Sequence, residues 1–296
     1  MAQEKIITCV ILNYNDANTT IDLIEKLMGY DTFNYLVVVD NYSSDNSVAL
    51  LKRYVNKRIK LIEANRNGGY GYGNNIGIRY SYDVLNADYI VISNPDVIFE
   101  EKTIINLEKV LASNAKHAIA APIPLTPEGI RQEIVAWKLT TVWQEMLESS
   151  VLYNRIFGLK RTYSIGNLTN NIHYVDVVQG SLFMVDAEIM VKYGMYDEDF
   201  FLYSEEQVIG YKLKKHGFKT ILLTNESYIH NHSISINKSY KSLIQKKRIY
   251  LKSKMLYFKK YNKLSLPQTC LVRLFFTYVI IEALIISFLR LLKHKK

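Results

Sequence analysis

Four short apolar segments in the first third of the chain constrain the fold most strongly, because each is rich in β-branched residues and precedes a polar cluster. They are residues 6–12, 35–39, 59–63 and 89–93. Helical stretches at about 19–28, 45–54 and 75–85 separate them, which predicts a parallel, doubly wound α/β sheet. The carboxyl ends of parallel strands share one edge, where α/β proteins bind ligands. We therefore expect a crevice lined by the polar clusters 13–16, 40–45, 65–75 and 94–96.

The third polar cluster is glycine-rich and reads NRNGGYGYGNNIG over residues 65–77. Glycine lets a backbone approach a ligand closely. We interpret the cluster as a ligand-binding turn containing Gly68, Gly69, Gly71 and Gly73, with Asn74 capping the next helix. The alternative is a loop whose glycines only form turns. A dinucleotide-binding Rossmann domain needs G-x-G-x-x-G directly after its first strand, and the first strand here is followed by NYND instead.

Asp96 lies just past the carboxyl end of the fourth apolar segment, after Asn94-Pro95. Proline cannot donate to a strand ladder, so the strand ends there. A carboxylate at that edge is a suitable ligand for a divalent metal that carries a diphosphate, because hard cations prefer oxygen donors. The alternative is an aspartate that only stabilises the turn.

A second pair of carboxylates, Glu205 and Glu206, follows Ser204. Ser204 with Gln207 three residues later has the pattern of a capping box, which predicts a helix from Glu205 to about residue 216. The helix dipole stabilises ionised carboxylates in a first turn by about 0.3–1 kcal/mol. An ionised carboxylate held at a fixed helix end can serve as a general base. The alternative is that both glutamates only stabilise the start of the helix.

Between Asp96 and Glu205 the sequence is less informative. Residues 117–121, 174–178 and 182–185 are predicted strands, and Trp137 and Trp143 are expected on a helix that contributes to the core. Near the end of a further strand, His230 and His232 are candidates to complete a metal site begun by Asp96. A structural or surface role for these histidines is the alternative.

The formal charge of +9 is unevenly distributed along the 296 residues. From His230 onward there are 15 Lys/Arg and one acidic residue, a net charge of +14, whereas the first 229 residues hold 22 Lys/Arg and 27 Asp/Glu, a net charge of −5. Such a basic tail suits an anionic membrane surface or nucleic acid. The two cysteines, Cys9 and Cys270, form no disulfide or zinc pattern, and the N-terminus lacks the features of a signal peptide. A reducing, cytoplasmic compartment is therefore expected.

The tail is predicted to contain a basic helix over 239–263 and an apolar helix that includes residues 274–289. A membrane-spanning helix needs about 20 apolar residues, and a central carboxylate is rare in one. The apolar run has 16 residues and contains Glu282. We therefore expect the helix to lie in the membrane interface, with dimerisation or core packing as the alternative.

Five motifs together resemble the inverting nucleotide-sugar glycosyltransferases of family 2, and more narrowly the bacterial rhamnosyltransferase-like members. The motifs are VILNYN at 10–15, VVVDNYSSDNS at 37–47, NGGYGYGNNIG at 67–77, SNPDV at 93–97 and MYDEDFFLYSEE at 195–206. Each is weak singly, but their order makes the resemblance specific over about residues 5–235. It implies a GT-A fold over residues 1–235, a Rossmann-like, mostly parallel sheet flanked by helices, followed by a basic helical region over 236–296.

The resemblance also implies a donor site, a metal site and a catalytic base. The residues implied to hold or border the nucleotide are Leu12, Asn13, Tyr14, Asp40, Gly68, Gly69, Asn74 and Asn94. Asp96 matches the metal-binding aspartate of a D-x-D-like motif, and His230 matches the histidine that completes a site for Mg²⁺ or Mn²⁺. Glu206 matches the catalytic base, with Glu205 beside it.

Two departures from the family pattern affect these expectations. The family usually has Glu-Asp where this sequence has Glu205-Glu206, so the base is one methylene longer and Glu205 is a second candidate. The first aspartate of D-x-D is Asn94, which makes strong metal dependence less certain.

The predicted function is inverting transfer of a sugar from a nucleotide-diphosphate donor, with dTDP-rhamnose favoured by the resemblance. The expected acceptor is a lipid-linked saccharide or a growing cell-surface polysaccharide at the inner face of the plasma membrane. Alternatives are a UDP-hexose-dependent transferase and a sugar-nucleotide-binding protein that has lost catalysis. We expect no nucleic-acid partner, because the predicted crevice is lined by carboxylates.

Overall fold

The computed structural model describes residues 5–158, 161–163, 170–231 and 243–293. Its core is a mixed β-sheet with helices on both faces. The strands are β1 (Ile7–Asn13), β2 (Tyr35–Asp40), β3 (Ile59–Glu63), β4 (Tyr89–Ser93), β5 (Val97–Ile98), β6 (His117–Leu125), β7 (Ala136–Trp137), β8 (Ile172–Val175), β9 (Val177–Val178), β10 (Leu182–Asp186) and β11 (Lys219–His230). The helices before the tail are α1 (Ala17–Met28), α2 (Ser47–Leu51), α3 (Tyr70–Asp83), α4 (Glu101–Ala112), α5 (Val142–Glu148), α6 (Val151–Phe157), α7 (Ala187–Ile189) and α8 (Glu205–Lys215).

Nine strands of the described chain form the main sheet, in the order β3-β2-β1-β4-β10-β6-β11-β5, with β8 also paired to β11. The first four strands are parallel, as predicted, and their apolar residues are buried because two separate core clusters cover the two faces. Strand β10 runs antiparallel to both β4 and β6. The prediction of a doubly wound parallel sheet therefore holds for one half, and the second half is mixed.

Helix α3 begins five residues before its predicted start, so the predicted glycine-rich turn is shorter and the predicted cap at Asn74 is wrong. Three glycines inside the helix allow it to pack directly on neighbouring side chains. A Cβ atom at Gly73 would lie 2.2 Å from Leu12, and one at Gly77 would lie 2.4 Å from Val10. One at Gly71 would lie 2.9 Å from Cβ of Tyr196. These glycines therefore serve helix packing rather than a ligand.

The weakly patterned middle differs from prediction in three places. Strand β6 continues to Leu125 through Pro122 and Pro124, which is possible because its pairing with β10 involves only Ile119 and Ala120. The expected strand over 174–178 is interrupted at residue 176. The two tryptophans are also placed differently. Trp137 lies on β7 rather than on a helix, and Trp143 on α5 is 39% exposed rather than in the core.

The basic tail forms two helices, α9 (Leu243–Lys260) and α10 (Leu266–Lys293). Residues 239–242 of the predicted basic helix lie outside the described residues. The two helices pack on each other and, together with α5 and α8, they enclose a third apolar core. Its buried residues are Met146, Phe200, Val208, Leu251, Tyr257, Phe258, Val272, Phe276 and Val279.

Glu282, the carboxylate within the apolar helix α10, is used inside the protein. It accepts hydrogen bonds from the backbone N–H groups of Val151 (3.0 Å) and Leu152 (2.7 Å) and from the hydroxyl of Ser150 (3.0 Å). An anion is favourable at that place because the N–H groups at a helix start have no intrahelical partner. Glu282 therefore fastens the start of α6 to the middle of α10.

Candidate active site

The ends of β1 and β2 are joined by a buried polar cluster around Asp40, which is 1% exposed. Asp40 Oδ2 accepts from Asn13 Nδ2 at 2.7 Å and from the Ser43 hydroxyl at 2.6 Å, and Oδ1 accepts from the Ser43 backbone at 2.8 Å. These bonds fix the loop after β2. Two aromatic side chains stay exposed at the same edge, Tyr14 (41%) and Tyr42 (60%). Exposed aromatic faces at this edge can stack on a nucleobase.

The glycine-rich motif contacts the segment that precedes α8. Gly69 has a φ of +90°, and a Cβ atom there would lie 2.4 Å from the carbonyl oxygen of Phe201. The Gly69 carbonyl accepts a hydrogen bond from Asn41 at 3.1 Å, which ties the motif to the end of β2. Asn74, which the resemblance implies as a donor-site residue, is fully buried within α3 and donates to the Tyr70 carbonyl. A Cβ atom at Gly68 would meet the ring of Tyr72 at 2.4 Å.

Asp96 and His230 are distant in sequence but adjacent in the structure. Asp96 lies between β4 and β5, and His230 ends β11, which pairs with β5. Nε2 of His230 is 3.4 Å from Oδ1 of Asp96, and the two residues are 7% and 9% exposed. The backbone N–H of Asn231 donates to the Asp96 carbonyl at 2.9 Å. His232, the other candidate, lies outside the described residues.

The chemistry of this pair is suited to a divalent cation. Across the described part of the chain, no group of three or more His, Cys, Asp and Glu side chains converges on one point. A cation that carries a diphosphate needs only one or two protein ligands, since phosphate oxygens and water complete its coordination. Asp96 and His230 therefore fit a cation that arrives with a nucleotide, and they do not form a closed metal site.

Glu205 and Glu206 occupy the first turn of α8, as predicted, but the predicted capping box is wrong. Ser204 has a φ of +72°, outside the extended region usual for a cap residue, and its side chain makes no cap hydrogen bond. Gln207 instead donates to Glu145 on α5 at 2.5 Å. Burial raises the pKa of both glutamates, and the charge of Glu206 raises the pKa of Glu205 further. Burial thus outweighs the expected stabilisation of the charged forms by the helix dipole.

The turn at Gly180-Ser181, between β9 and β10, brings the two halves of the site together. A Cβ atom at Gly180 would lie 2.2 Å from Oε1 of Glu206, so the turn covers this carboxylate closely. The Asn94 N–H donates to the Ser181 carbonyl at 2.8 Å. The Ser181 hydroxyl lies 2.5 Å from that of Tyr228, two residues before His230. The turn therefore lies against Glu206 and is hydrogen-bonded to Asn94 and Tyr228, the residues two positions before Asp96 and His230.

Tyr70 was missed at the level of sequence, although it lies within the glycine-rich motif. Its hydroxyl is 2.7 Å from the Gly180 carbonyl and 3.1 Å from Oδ1 of Asn94, and its ring meets Tyr196 edge-on. Burial raises its pKa above the usual tyrosine value, with the Glu206 charge as the next contribution. The sequence indicates a role for Tyr70 only through its position directly after Gly68-Gly69 in the glycine-rich motif.

The sequence model of the family described as "Glycosyl transferase family 2" matches residues 8–173, more than half of the chain. The chain belongs to this glycosyltransferase family. The match covers β1 to β4, the Asp40 cluster and Asp96, and it ends before Glu205 and Glu206. The assignment of Glu206 as the base therefore depends on the geometry of the site and on the resemblance of the motif at 195–206.

A curated relative of this glycosyltransferase is "Low-salt glycan biosynthesis hexosyltransferase Agl10" of Haloferax volcanii. It is 26% identical over 261 residues, which cover 87% of the chain and 78% of the relative. This relative and the family match together identify the chain as a glycosyltransferase enzyme.

Solved structures show that the glycosyltransferase has a GT-A-like fold. GalNAc-T7 with UDP, GalNAc and Mn²⁺ has a TM-score of 0.60 at 14% identity, over 79% of this chain and 45% of that one. The mannosyltransferase PcManGT of Pyrobaculum calidifontis, with GDP-Man and Mn²⁺, has a TM-score of 0.57 at 14% identity, over 95% of this chain and 74% of that one. The chain thus spans less than half of the first protein and about three quarters of the second.

Proposed function

We propose that this glycosyltransferase moves a sugar from a nucleoside-diphosphate donor to an acceptor hydroxyl with inversion at the anomeric carbon. The position of the Gly180-Ser181 turn carries this proposal, because the turn lies against Glu206 and bonds Asn94 and Tyr228, each two residues before a member of the Asp96–His230 pair. This arrangement supports a site in which Glu206 accepts a proton while the Asp96–His230 pair binds the diphosphate of the same donor. Glu205 is the second candidate for the base, because among the described residues its buried Oε1 has no hydrogen-bond partner.

In the proposed mechanism, Glu206 takes the proton of the acceptor hydroxyl as the acceptor oxygen attacks the anomeric carbon. The bond from that carbon to the diphosphate oxygen breaks on the opposite face, which gives inversion in one displacement. Asp96 and His230 would hold a Mg²⁺ or Mn²⁺ ion, which when bound neutralises the charge of the leaving diphosphate. Tyr14 and the edge formed by Leu12, Asn13 and Asp40 would hold the nucleobase of the donor, with Asn94 near the ribose. Gly68 and Gly69, directly before α3, and Asn74 within α3 would border this site.

The donor is proposed to be a pyrimidine nucleoside-diphosphate sugar, either dTDP-rhamnose or a UDP-hexose. The resemblance of the motifs favours the first, and the hexosyltransferase relative supports a six-carbon sugar in either case. A transfer assay with dTDP-rhamnose, UDP-hexoses and GDP-mannose is expected to show release of one nucleoside diphosphate, enhanced by Mg²⁺ or Mn²⁺. Donor binding with no turnover, including no donor hydrolysis, would instead support a sugar-nucleotide-binding protein that has lost catalysis.

We further propose that the enzyme works at the cytoplasmic face of a membrane, on a lipid-linked or growing polysaccharide acceptor. Helix α10 includes Leu266–Leu289, the one segment of the described chain that is long and apolar enough to cross a membrane, and only 22% of an apolar 18-residue stretch within it is buried. Because Glu282 is bonded to the start of α6, no free carboxylate interrupts its apolar surface. Helix α6 adds exposed Ile156 (63%) and Phe157 (58%). These apolar faces and the basic tail support attachment in the interface of an anionic bilayer.

The membrane proposal predicts that the intact protein floats with anionic vesicles at low salt and binds neutral vesicles more weakly. Changing Ile156 and Phe157 together to Asp is expected to reduce vesicle binding at least several-fold, because charged side chains on the apolar face are costly to insert. Val84→Asp, at a 57% exposed site after α3, is the matched control. Binding unchanged by the double variant would contradict this surface, and a dimer lost in that variant would indicate self-association instead.

A further inference from the structure

The segment that leads into the proposed base is held in an uncommon backbone conformation. Tyr203 and Ser204, directly before α8, have φ angles of +70° and +72°. Non-glycine residues rarely adopt this left-handed region, and they persist there when the surrounding structure holds them. Glu205 and Glu206 follow immediately, so the direction in which α8 starts depends on these two residues. We call residues 197–207 the base segment.

Helix α9, from the basic tail, contacts the base segment at its strained residues. The hydroxyl of Ser253 donates to the carbonyl of Leu202 at 2.6 Å. The ring of Tyr250 packs edge-on against the ring of Tyr203, with 5.9 Å between ring centroids. The two contacts are made by neighbouring residues of one helix face and act directly before Ser204.

The same helix face holds the first turn of α8 through a buried lysine. Lys254 is 2% exposed, and its ammonium is 2.6 Å from Glu145 Oε2 and hydrogen-bonded to the amide oxygen of Gln207. Glu145 and Gln207 are also 2% exposed and bond to each other. Burial lowers the pKa of Lys254 to about 8, but the Glu145 carboxylate opposes that shift. Gln207 is the residue after the proposed base, so the lysine acts one residue away from it.

A third set of contacts fixes the other end of the base segment. The Lys260 ammonium is 2.8 Å from Oδ1 of Asp197 and 2.6 Å from Oδ2 of Asp199. The Tyr261 hydroxyl donates to Oδ2 of Asp197 at 2.6 Å. Helix α9 and the adjacent Tyr261 therefore contact the base segment at three places: at Asp197 and Asp199, at Leu202 and Tyr203, and at Gln207 in the first turn of α8.

We propose that Lys254 is a positioning residue for the catalytic base, acting through Gln207 and Glu145 to fix the first turn of α8. This inference rests on the proposed role of Glu206. A buried ion pair is weak grounds for inferring stability, because desolvation offsets the attraction between the charges. The Lys254–Glu145 pair instead fixes the conformation of Gln207, and the position of Gln207 sets the direction of the neighbouring Glu206.

Lys254 also influences the charge of the base. The groups that surround Glu206 are Glu205 on the same helix, Tyr70 of α3, Tyr196, Tyr228 of β11 and Lys254 of α9. Lys254 is the cation in this set, and its charge lowers the pKa of Glu206 against the upward effect of burial. Removal of the ammonium should therefore raise the pKa of Glu206 and move the acid limb of activity to higher pH.

The test compares Lys254→Met with Lys254→Arg in the full chain. Lys254→Met is expected to lower kcat by about tenfold to a hundredfold, as small displacements of catalytic groups do. The KM for the donor should stay within about twofold, because the donor site lies on other elements, and the acid limb of kcat should move to higher pH. Lys254→Arg should recover part of kcat. Lys252→Met, on the exposed face of α9, is the matched control and should leave kcat unchanged.

A Lys254→Met enzyme whose kcat stays within twofold of the wild type would overturn the inference, as would equal losses in kcat and in donor affinity. Absence of transfer by the wild-type enzyme with every donor would instead contradict the proposed function. If Lys254→Met does not fold, Glu145→Gln decides the matter, because it removes the carboxylate that pairs with the ammonium and keeps the size of the side chain. A severalfold loss of kcat with unchanged donor affinity would support the positioning role of Lys254, and unchanged kcat would overturn it.

Discussion

Glu206→Gln is expected to lower kcat for sugar transfer by about 10²–10⁴-fold, the usual contribution of a general base. Glutamine keeps the size of the side chain but cannot take a proton from the acceptor. Donor affinity should change little, because the proposed nucleotide site lies on other elements. Initial transfer rates at saturating donor, together with nucleotide binding measured by thermal shift, separate these two effects.

The control for this experiment is Glu205→Gln, which makes the same chemical change at the neighbouring carboxyl. If Glu205→Gln causes the large loss and Glu206→Gln does not, the two roles must be exchanged. The pH profile adds an independent check. Because burial raises the pKa of Glu206, the base is ionised only above the ordinary range of a glutamic acid. The kcat of the wild type should therefore rise with pH through that elevated value, and an acid limb near the ordinary glutamate pKa would contradict a buried base.

Asp96→Ala is expected to have the second largest effect, a loss of about 10²–10³-fold in metal-stimulated transfer, since a cation supplies several kcal/mol to a leaving diphosphate. It should also abolish the increase in thermal stability that nucleoside diphosphate and Mn²⁺ together produce. His230→Gln should cause a smaller loss of the same kind, because the imidazole lies 3.4 Å from the carboxylate and shares its task.

Asp83→Asn, at an exposed carboxylate near the end of α3, is the control for non-specific binding of the cation. Transfer by the wild type that is unaffected by chelators, together with full activity of Asp96→Ala, would contradict the metal site. In that case Asp96 would serve only to stabilise its turn, the alternative that its Asn-Pro-Asp sequence allows.

The parallel half of the fold could be predicted from sequence because its signals are local. Apolar runs, polar ends and helical spacing occur within short windows, and the four strands of that half follow one another along the chain. The position of β10 was not predictable in this way. It returns to the sheet from a distant part of the sequence and runs antiparallel to β4, a pairing that no local pattern encodes.

In the candidate site, too, the features encoded by local sequence could be predicted and those that depend on distant contacts could not. Motifs in the sequence predict roles for Asp96, His230 and Glu206, whereas the Gly180-Ser181 turn that lies against Glu206 and bonds Tyr228 is placed by tertiary packing. Gly71 and Gly73 were interpreted as ligand-facing because a glycine-rich motif has the same appearance whether a ligand or a side chain approaches it. Ser204 and Gln207 had the pattern of a capping box, but buried Lys254 and Glu145 from other helices bind the glutamine instead.

The third apolar core has a practical consequence for protein production. Deleting a hydrophobic tail is a common way to ease purification, and the charge pattern of this chain invites a cut near residue 235. Such a cut would remove Leu251, Phe258 and Val279 and leave Phe200 and Val208 exposed to water. The shortened polypeptide would then expose an apolar surface that favours aggregation, next to α8 and the proposed base Glu206. Production with the tail left in place is therefore the better route to material for enzymology.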